Sequence, residues 1–133
     1  MRVASSVCEN GFENFTRDLS DTGYYGSGIY LTTSAKYASK YAALQFDSAL
    51  VISFCMMGNV FPVTERHDLK GTSLMGKQID RGYQSHYALV ETKQGTVIKD
   101  HFDPNLHADE IVIPHGSQIL PVFLLQLKQP GQR

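Results

Sequence analysis

Two neighbouring carboxylates, Asp109 and Glu110, stand at the head of the apolar run Ile111-Val112-Ile113 in this 133-residue chain. A carboxylate at a strand end can face a cleft and stabilise positive charge that develops there, although most such acids are solvated. Adjacent strand residues point to opposite faces, so position alone does not choose between the two. Tyr30, Tyr37 and Tyr41 form a second set. If a strand carrying Tyr30 packs on a helix carrying the other two, the rings can sandwich a flat heterocycle, worth about 0.5–1.5 kcal/mol beyond area burial. Helical aromatics also serve as ordinary core. The cluster Gly23-Tyr24-Tyr25-Gly26-Ser27-Gly28-Ile29-Tyr30 reads as a tight turn entering a strand. It is not a dinucleotide-binding fingerprint, because Leu31 occupies the third glycine position and no βαβ pattern surrounds it. His101 and His107, with Asp103 between them, match no common zinc spacing and lie far from both cysteines, so no metal site is expected.

The elements that must position these groups are short. Val3, Val7 and Cys8 predict an opening helix, with Gly11 as its stop. Residues 13–25 read as a surface loop leading to a strand at residues 28–31. Thr33 or Ser34 can cap a helix running to about Leu44, with Tyr37, Ala38, Tyr41 and Ala42 on one face. The apolar run at residues 49–57, then Gly58-Asn59, then residues 60–63 predict a bent or bulged strand. Residues 65–82 are polar and glycine-punctuated, a candidate lid. Residues 87–91 and 96–99, joined by Lys93-Gln94-Gly95, predict a hairpin. Residues 110–113 and 118–127 predict the last two strands, with Pro114 and Pro121 confined to edges, bulges or strand ends. Residues 129–133 read as a frayed tail. Strands with two short helices and no regular βαβ alternation indicate an α+β fold built on antiparallel sheet, without internal repeats.

At 133 residues one core, hence one domain spanning 1–133, is expected. Hydrophobic residues at 42% and charged residues at 19% give a globular rather than a disordered balance. A net charge of −1 without a basic run argues against a dedicated nucleic-acid surface. Cys8 and Cys55, both in apolar local sequence, suit buried free thiols of a reducing compartment, so the expected location is intracellular, cytoplasmic or nuclear. No apolar run has membrane-spanning length, so no membrane is expected as a partner.

Taken in order, these clusters resemble the catalytic domain of the poly(ADP-ribose) polymerase-type ADP-ribosyltransferases along nearly the whole chain. Ser6-Val7-Cys8-Glu9-Asn10-Gly11-Phe12 is similar to the family's first helix and its closing glycine. Gly26-Ser27-Gly28-Ile29-Tyr30 is similar to the motif whose tyrosine is the family's second signature residue, a role that Tyr30 inherits. Tyr41 falls at the spacing of the tyrosine that stacks on nicotinamide. Ser39 is offset by one from the serine that bonds the carboxamide, and Ala38 stands at the ungapped position. Residues 51–61 resemble the central strand with its glycine-asparagine bulge, and residues 69–76 the loop after it. Glu110-Ile111-Val112-Ile113, followed by Gln118-Ile119-Leu120-Pro121, matches the glutamate strand and its successor without a gap, so the resemblance selects Glu110 over Asp109.

The resemblance implies an ADP-ribosyltransferase-like fold and transfer of ADP-ribose from NAD, as co-substrate, to a macromolecular acceptor. A protein acceptor is the first expectation and nucleic acid the second. Glu110 and Tyr30 become the catalytic candidates. Tyr41, Ser39, Tyr37, Tyr25 and Gly28 become the cofactor-binding candidates, and the loop at residues 65–82 the element that chooses the acceptor. The alternative is an inactive module of the same fold that binds NAD, ADP-ribose or a protein. The family motif begins with a His-Gly pair on a strand before the first helix, and none of His67, His86, His101, His107 or His115 takes that place. The chain is therefore read as a partial domain: a fragment, a truncated gene model, or half of a complemented fold whose missing strand comes from another segment or chain.

Overall fold

A computed structural model describes residues 2–12, 23–42, 48–63, 73–90 and 108–127. Helix α1 spans Arg2–Asn10 and is anchored by Val7, which is buried. Gly11, at φ +75°, donates its N–H to the Val7 carbonyl at 2.9 Å, and so ends the helix in the left-handed conformation expected of a glycine stop. Cys8 is exposed and Cys55 half-buried, which corrects the expectation of two buried thiols. Consecutive helix residues diverge by about 100°, so Val7 and Cys8 cannot both face inward. Burial raises the Cys55 thiol above its ordinary value.

Strand β1 (Ile29–Leu31) leads directly into helix α2 (Ala35–Ala42). The Ser34 hydroxyl accepts the Tyr37 N–H at 3.2 Å, so Ser34 rather than Thr33 is the N-cap. Strands β2 (Ala49–Cys55), β3 (Val60–Val63), β4 (Ser85–Val90), β5 (Ala108–Ile113) and β6 (Ile119–Gln126) follow, with a single 3-10 turn at Gly116–Gln118 before β6. Among the described residues this is a small α+β domain with two α-helices and two sheets. The second half of the expected hairpin, residues 96–99, lies outside the described residues, as do the end of the expected α2 helix beyond Ala42, the tail at 129–133, and His101, Asp103 and His107.

The four-stranded sheet has the order β1-β5-β4-β3, and β2 pairs with β6 in a separate two-stranded sheet. The single bent strand expected from residues 49–63 is therefore two strands in two sheets, separated at Gly58 and Asn59. The sheets are not purely antiparallel as expected, because β3 runs parallel to β4. Residues 64–84 between them are long enough for the crossover that a parallel pair needs. The pair is pinned at its start: Gln84 N–H donates to the Asn59 carbonyl at 2.8 Å, Asn59 N–H donates to the Gln84 side chain at 2.8 Å, and Asn59 Nδ2 donates to the Gly82 carbonyl at 2.7 Å. Pro62 sits in β3, an edge strand, where its missing N–H costs no ladder bond. Pro121 lies at the bulge in the β2–β6 ladder, where Ile52 faces Phe123 and Ser53 faces Pro121, leaving Val122 extra.

β5 is the centre of the molecule, with Val112 and Ile113 wholly buried. Its alternation divides the core. Ala108 and Val112 pack with Tyr25, Val63, Leu74 and Ala88 on one face. Ile111 and Ile113 pack with Ile29 and Ile119 on the other, where Cys55 and Met57 bring in the second sheet. Residues 73–82 of the expected lid are docked rather than poised above a site. Leu74 is buried in the first cluster, Ser27 N–H donates to the Lys77 carbonyl at 2.7 Å, and Gly76 N–H to the Gly23 carbonyl at 3.2 Å. Apolar anchors hidden in a polar stretch account for the difference.

Candidate functional site

The register of the central sheet decides which polar side chains share a space. β1 pairs antiparallel with β5 so that Tyr30 lies opposite Val112, two residues from Glu110. Side chains two apart on a strand share a face, which puts Tyr30 and Glu110 on the same side. Asp109 then points to the other side. The β1–β5 approach requires Gly28: a Cβ there would lie 2.7 Å from the Ile113 carbonyl oxygen and 3.0 Å from Val112 Cγ1. No side chain fits between the two backbones.

The two carboxylates have separate tasks. Asp109, 4% exposed, accepts from Thr33 N–H at 2.7 Å, the Thr33 hydroxyl at 2.8 Å, the Thr32 hydroxyl at 3.0 Å and the Tyr87 hydroxyl at 3.2 Å. It clamps the β1–α2 junction onto β5. The Tyr87 hydroxyl is held above its ordinary pKa by burial and then by the Asp109 charge. Glu110 is half-buried and accepts the Tyr37 hydroxyl at 2.5 Å. It is the third residue of β5 rather than a strand-end acid, because the strand begins at Ala108.

α2 presents Tyr37, Ala38 and Tyr41 to the space in front of Glu110, with no residue of the helix fully buried. Tyr37 and Tyr41 lie edge to face, their centroids 5.4 Å apart and their hydroxyls 2.9 Å apart. Tyr41 is 59% exposed. Burial, the Glu110 and Tyr41 hydrogen bonds and the Glu110 charge, in that order, hold the Tyr37 phenol above its ordinary value. With Tyr30, Gly28 and Glu110 these residues line a cleft of about 630 Å³. The rest of its lining is mostly apolar, from Val3 and Val7 on α1 with Phe12, Ile29 and Leu31, and is completed by Gly23, Tyr24 and Thr32. That volume and lining suit a small-molecule site.

The structure thus brings five of the seven expected site residues to one cleft: Glu110, Tyr30, Tyr37, Tyr41 and Gly28. The Tyr30 hydroxyl donates to the Gly26 carbonyl at 2.8 Å and accepts the Tyr25 N–H at 2.9 Å, so it ties the glycine turn to β1 while its ring faces the cleft. Tyr25 is not in the cleft lining; its side chain is buried in the core behind it, with Tyr24 edge-on at 4.8 Å. Burial and then the Glu110 charge raise its phenol. Ser39 is not in the cleft lining, and its hydroxyl donates to the Lys36 carbonyl at 2.9 Å, while Ala38 lines the space instead. Sequence reasoning missed the clamp formed by Asp109 with Thr32, Thr33 and Tyr87. The signal available was the pair of threonines just before a helix, whose hydroxyls favour a local or nearby acceptor at a helix start. No group of three or more metal-ligating side chains occurs among the described residues. None of their helices is long and apolar enough to cross a membrane.

No protein-family model, no curated protein and no solved structure matches this chain.

Proposed function

We propose that this chain is an ADP-ribosyltransferase-like catalytic domain that moves ADP-ribose from NAD to a macromolecular acceptor, a protein before a nucleic acid, releasing nicotinamide. The observation that carries this reading is the convergence of Tyr30, Tyr37, Tyr41 and Glu110 on one cleft of about 630 Å³. Flat aromatic walls suit the nicotinamide ring, and a carboxylate beside them suits the ribose. Cleavage of the ribose–nicotinamide bond passes through an oxocarbenium-like transition state, in which a fixed carboxylate lowers the energy of developing positive charge. Glu110 takes that role and also bonds a ribose hydroxyl. The exposed ring of Tyr41 stacks on the leaving heterocycle. Ala38 at the cleft wall offers no hydroxyl to the carboxamide, so stacking carries more of the recognition than side-chain hydrogen bonding from α2.

Glu110→Gln tests the role, since it keeps the size of the side chain and an acceptor for Tyr37. Transfer from labelled NAD is expected to fall at least about 100-fold with thermal unfolding little changed. Equal labelling by Glu110→Gln and the native protein would remove Glu110 from the chemistry.

A second reading, a binding module of the same fold without turnover, is favoured by one observation. No histidine lines the cleft among the described residues, and His86 is wholly buried with its Nδ1 2.7 Å from the Tyr25 carbonyl oxygen. Saturable NAD or ADP-ribose binding with no nicotinamide release over hours would select it.

A further inference from the structure

We infer that Tyr37 is a positioning residue for Glu110, the middle of a directed hydrogen-bond chain that runs from the Tyr41 hydroxyl through the Tyr37 hydroxyl to the Glu110 carboxylate. The distances are 2.9 Å for the first link and 2.5 Å for the second. The direction follows from proton counting. An ionised carboxylate only accepts, so Tyr37 donates its single hydroxyl proton to Glu110 Oε1. Its oxygen is then left to accept, and Tyr41 must be the donor to it. Each bond in such a chain polarises the next, which strengthens the hold on the charged carboxylate.

The backbone supports this arrangement from both ends. Asp109 accepts the Thr33 N–H at 2.7 Å and fixes where α2 begins, and Ser34 caps the helix through the Tyr37 N–H at 3.2 Å. Asp109 and Glu110 are adjacent, so one strand sets the helix origin with one carboxylate and receives the helix's tyrosine with the next. Tyr37 also packs against the core cluster of Val112, Ala88 and Tyr25, which restricts its ring. Lys40 lies 5.8 Å from that ring's centroid, over its face. Among the described residues, the titratable groups near the carboxylate include Tyr37 and Tyr41 on α2, Lys40 over the Tyr37 ring, Tyr30 on β1, Tyr25 in the turn before it and Asp109 on the opposite face of β5. The Tyr37 phenol supplies a neutral donor to the carboxylate, and this bond favours one orientation of Glu110 at the cleft.

The kinetic part of this inference rests on the transfer reading, so the test pairs it with a measurement that does not. Glutamate carboxyl carbons are labelled with 13C, and Glu110 is assigned by the signal lost in Glu110→Gln. Removing a donor to the charged form is expected to raise the Glu110 midpoint by about one pH unit in Tyr37→Phe, which keeps the packed ring. Tyr41→Phe should give a smaller upward shift, and the double variant should match Tyr37→Phe alone, because Tyr41 acts only through Tyr37. In NAD cleavage, Tyr37→Phe should lower kcat on the order of tenfold with KM within about twofold, the pattern of a lost orienting contact. An unmoved Glu110 midpoint in Tyr37→Phe, or additive shifts in the double variant, overturns the chain whatever the turnover. A shifted midpoint in a protein that never cleaves NAD keeps the chain and removes the transfer reading. Undiminished kcat in a turning-over Tyr37→Phe removes the positioning role and leaves the transfer reading standing.

Discussion

Asp109 illustrates how a buried carboxylate can matter without touching a ligand. Four donors converge on it from the β1–α2 junction and from β4, which is as many as its lone pairs accommodate. Asp109→Ala leaves the Thr33 N–H and three hydroxyls without their acceptor. The expected loss is about 3–5 kcal/mol, read as a lower urea midpoint at an unchanged slope. Asp109→Asn retains one carbonyl oxygen and should cost less, about 1–3 kcal/mol. A loss below about 0.5 kcal/mol for Asp109→Ala would mean that water replaces the carboxylate and that the clamp does not hold α2. Sequence reasoning reached both acids and their opposite facings, because alternation is local. It did not reach their division of labour. That depends on which face of β5 meets the β1–α2 junction.

Between β1 and β5 the fit is set by Gly28, and the consequence belongs to the element rather than to the residue. A methyl group at this position would press on the Ile113 backbone oxygen, which a central strand cannot move aside. Gly28→Ala is expected to lower stability by about 1–3 kcal/mol. Because β1 carries Tyr30 and feeds α2, the same change should also weaken the NAD binding that the proposed transfer requires. Chemical denaturation together with calorimetric titration separates the two effects, and a variant as stable as the native chain would show that β1 yields easily. α2 itself was largely legible: the cap choice was narrowed to Thr33 or Ser34, and Tyr37, Ala38 and Tyr41 do share one face, which lines the cleft. Thr33 turned out to be occupied by Asp109, which left the cap to Ser34.

Across the molecule, the two sheets bury their shared face through Ile111, Ile113, Ile119 and Cys55. The outer face of the β2–β6 sheet stays open. Ile52, Phe54 and Met56 on one side, and Leu120, Phe123 and Leu125 on the other, are 47–71% exposed. The register places Ile52 opposite Phe123 and Phe54 opposite Leu120, so they form one continuous stripe. An apolar patch of this kind exceeds the scattered exposure of ordinary surfaces. It is expected to bind a hydrophobic fluorescent dye in the folded state. Combining Phe54→Lys with Phe123→Lys should remove most of that fluorescence at a stability change within about 1 kcal/mol. Undiminished fluorescence would place the dye elsewhere, the cleft in front of Glu110 being the next candidate.

Local chemistry by itself determined a good deal of this protein: the helix stop at Gly11, the helix capped at Thr33 or Ser34, the tolerance of Pro121 at a bulge, and an acid and an aromatic set able to meet. These follow from backbone conformation and from periods of two and about four residues, which operate over a few positions. The tertiary structure alone decided that β3 runs parallel to β4, that half of a polar loop is docked by Leu74, and that Tyr25 is core rather than cleft. It also decided that Tyr37 bonds Glu110 across 73 residues of chain. Such contacts depend on sheet register, where a slip of one residue would send Glu110 to the Asp109 side of β5. Pairing between distant segments fixes that register. No local propensity encodes it.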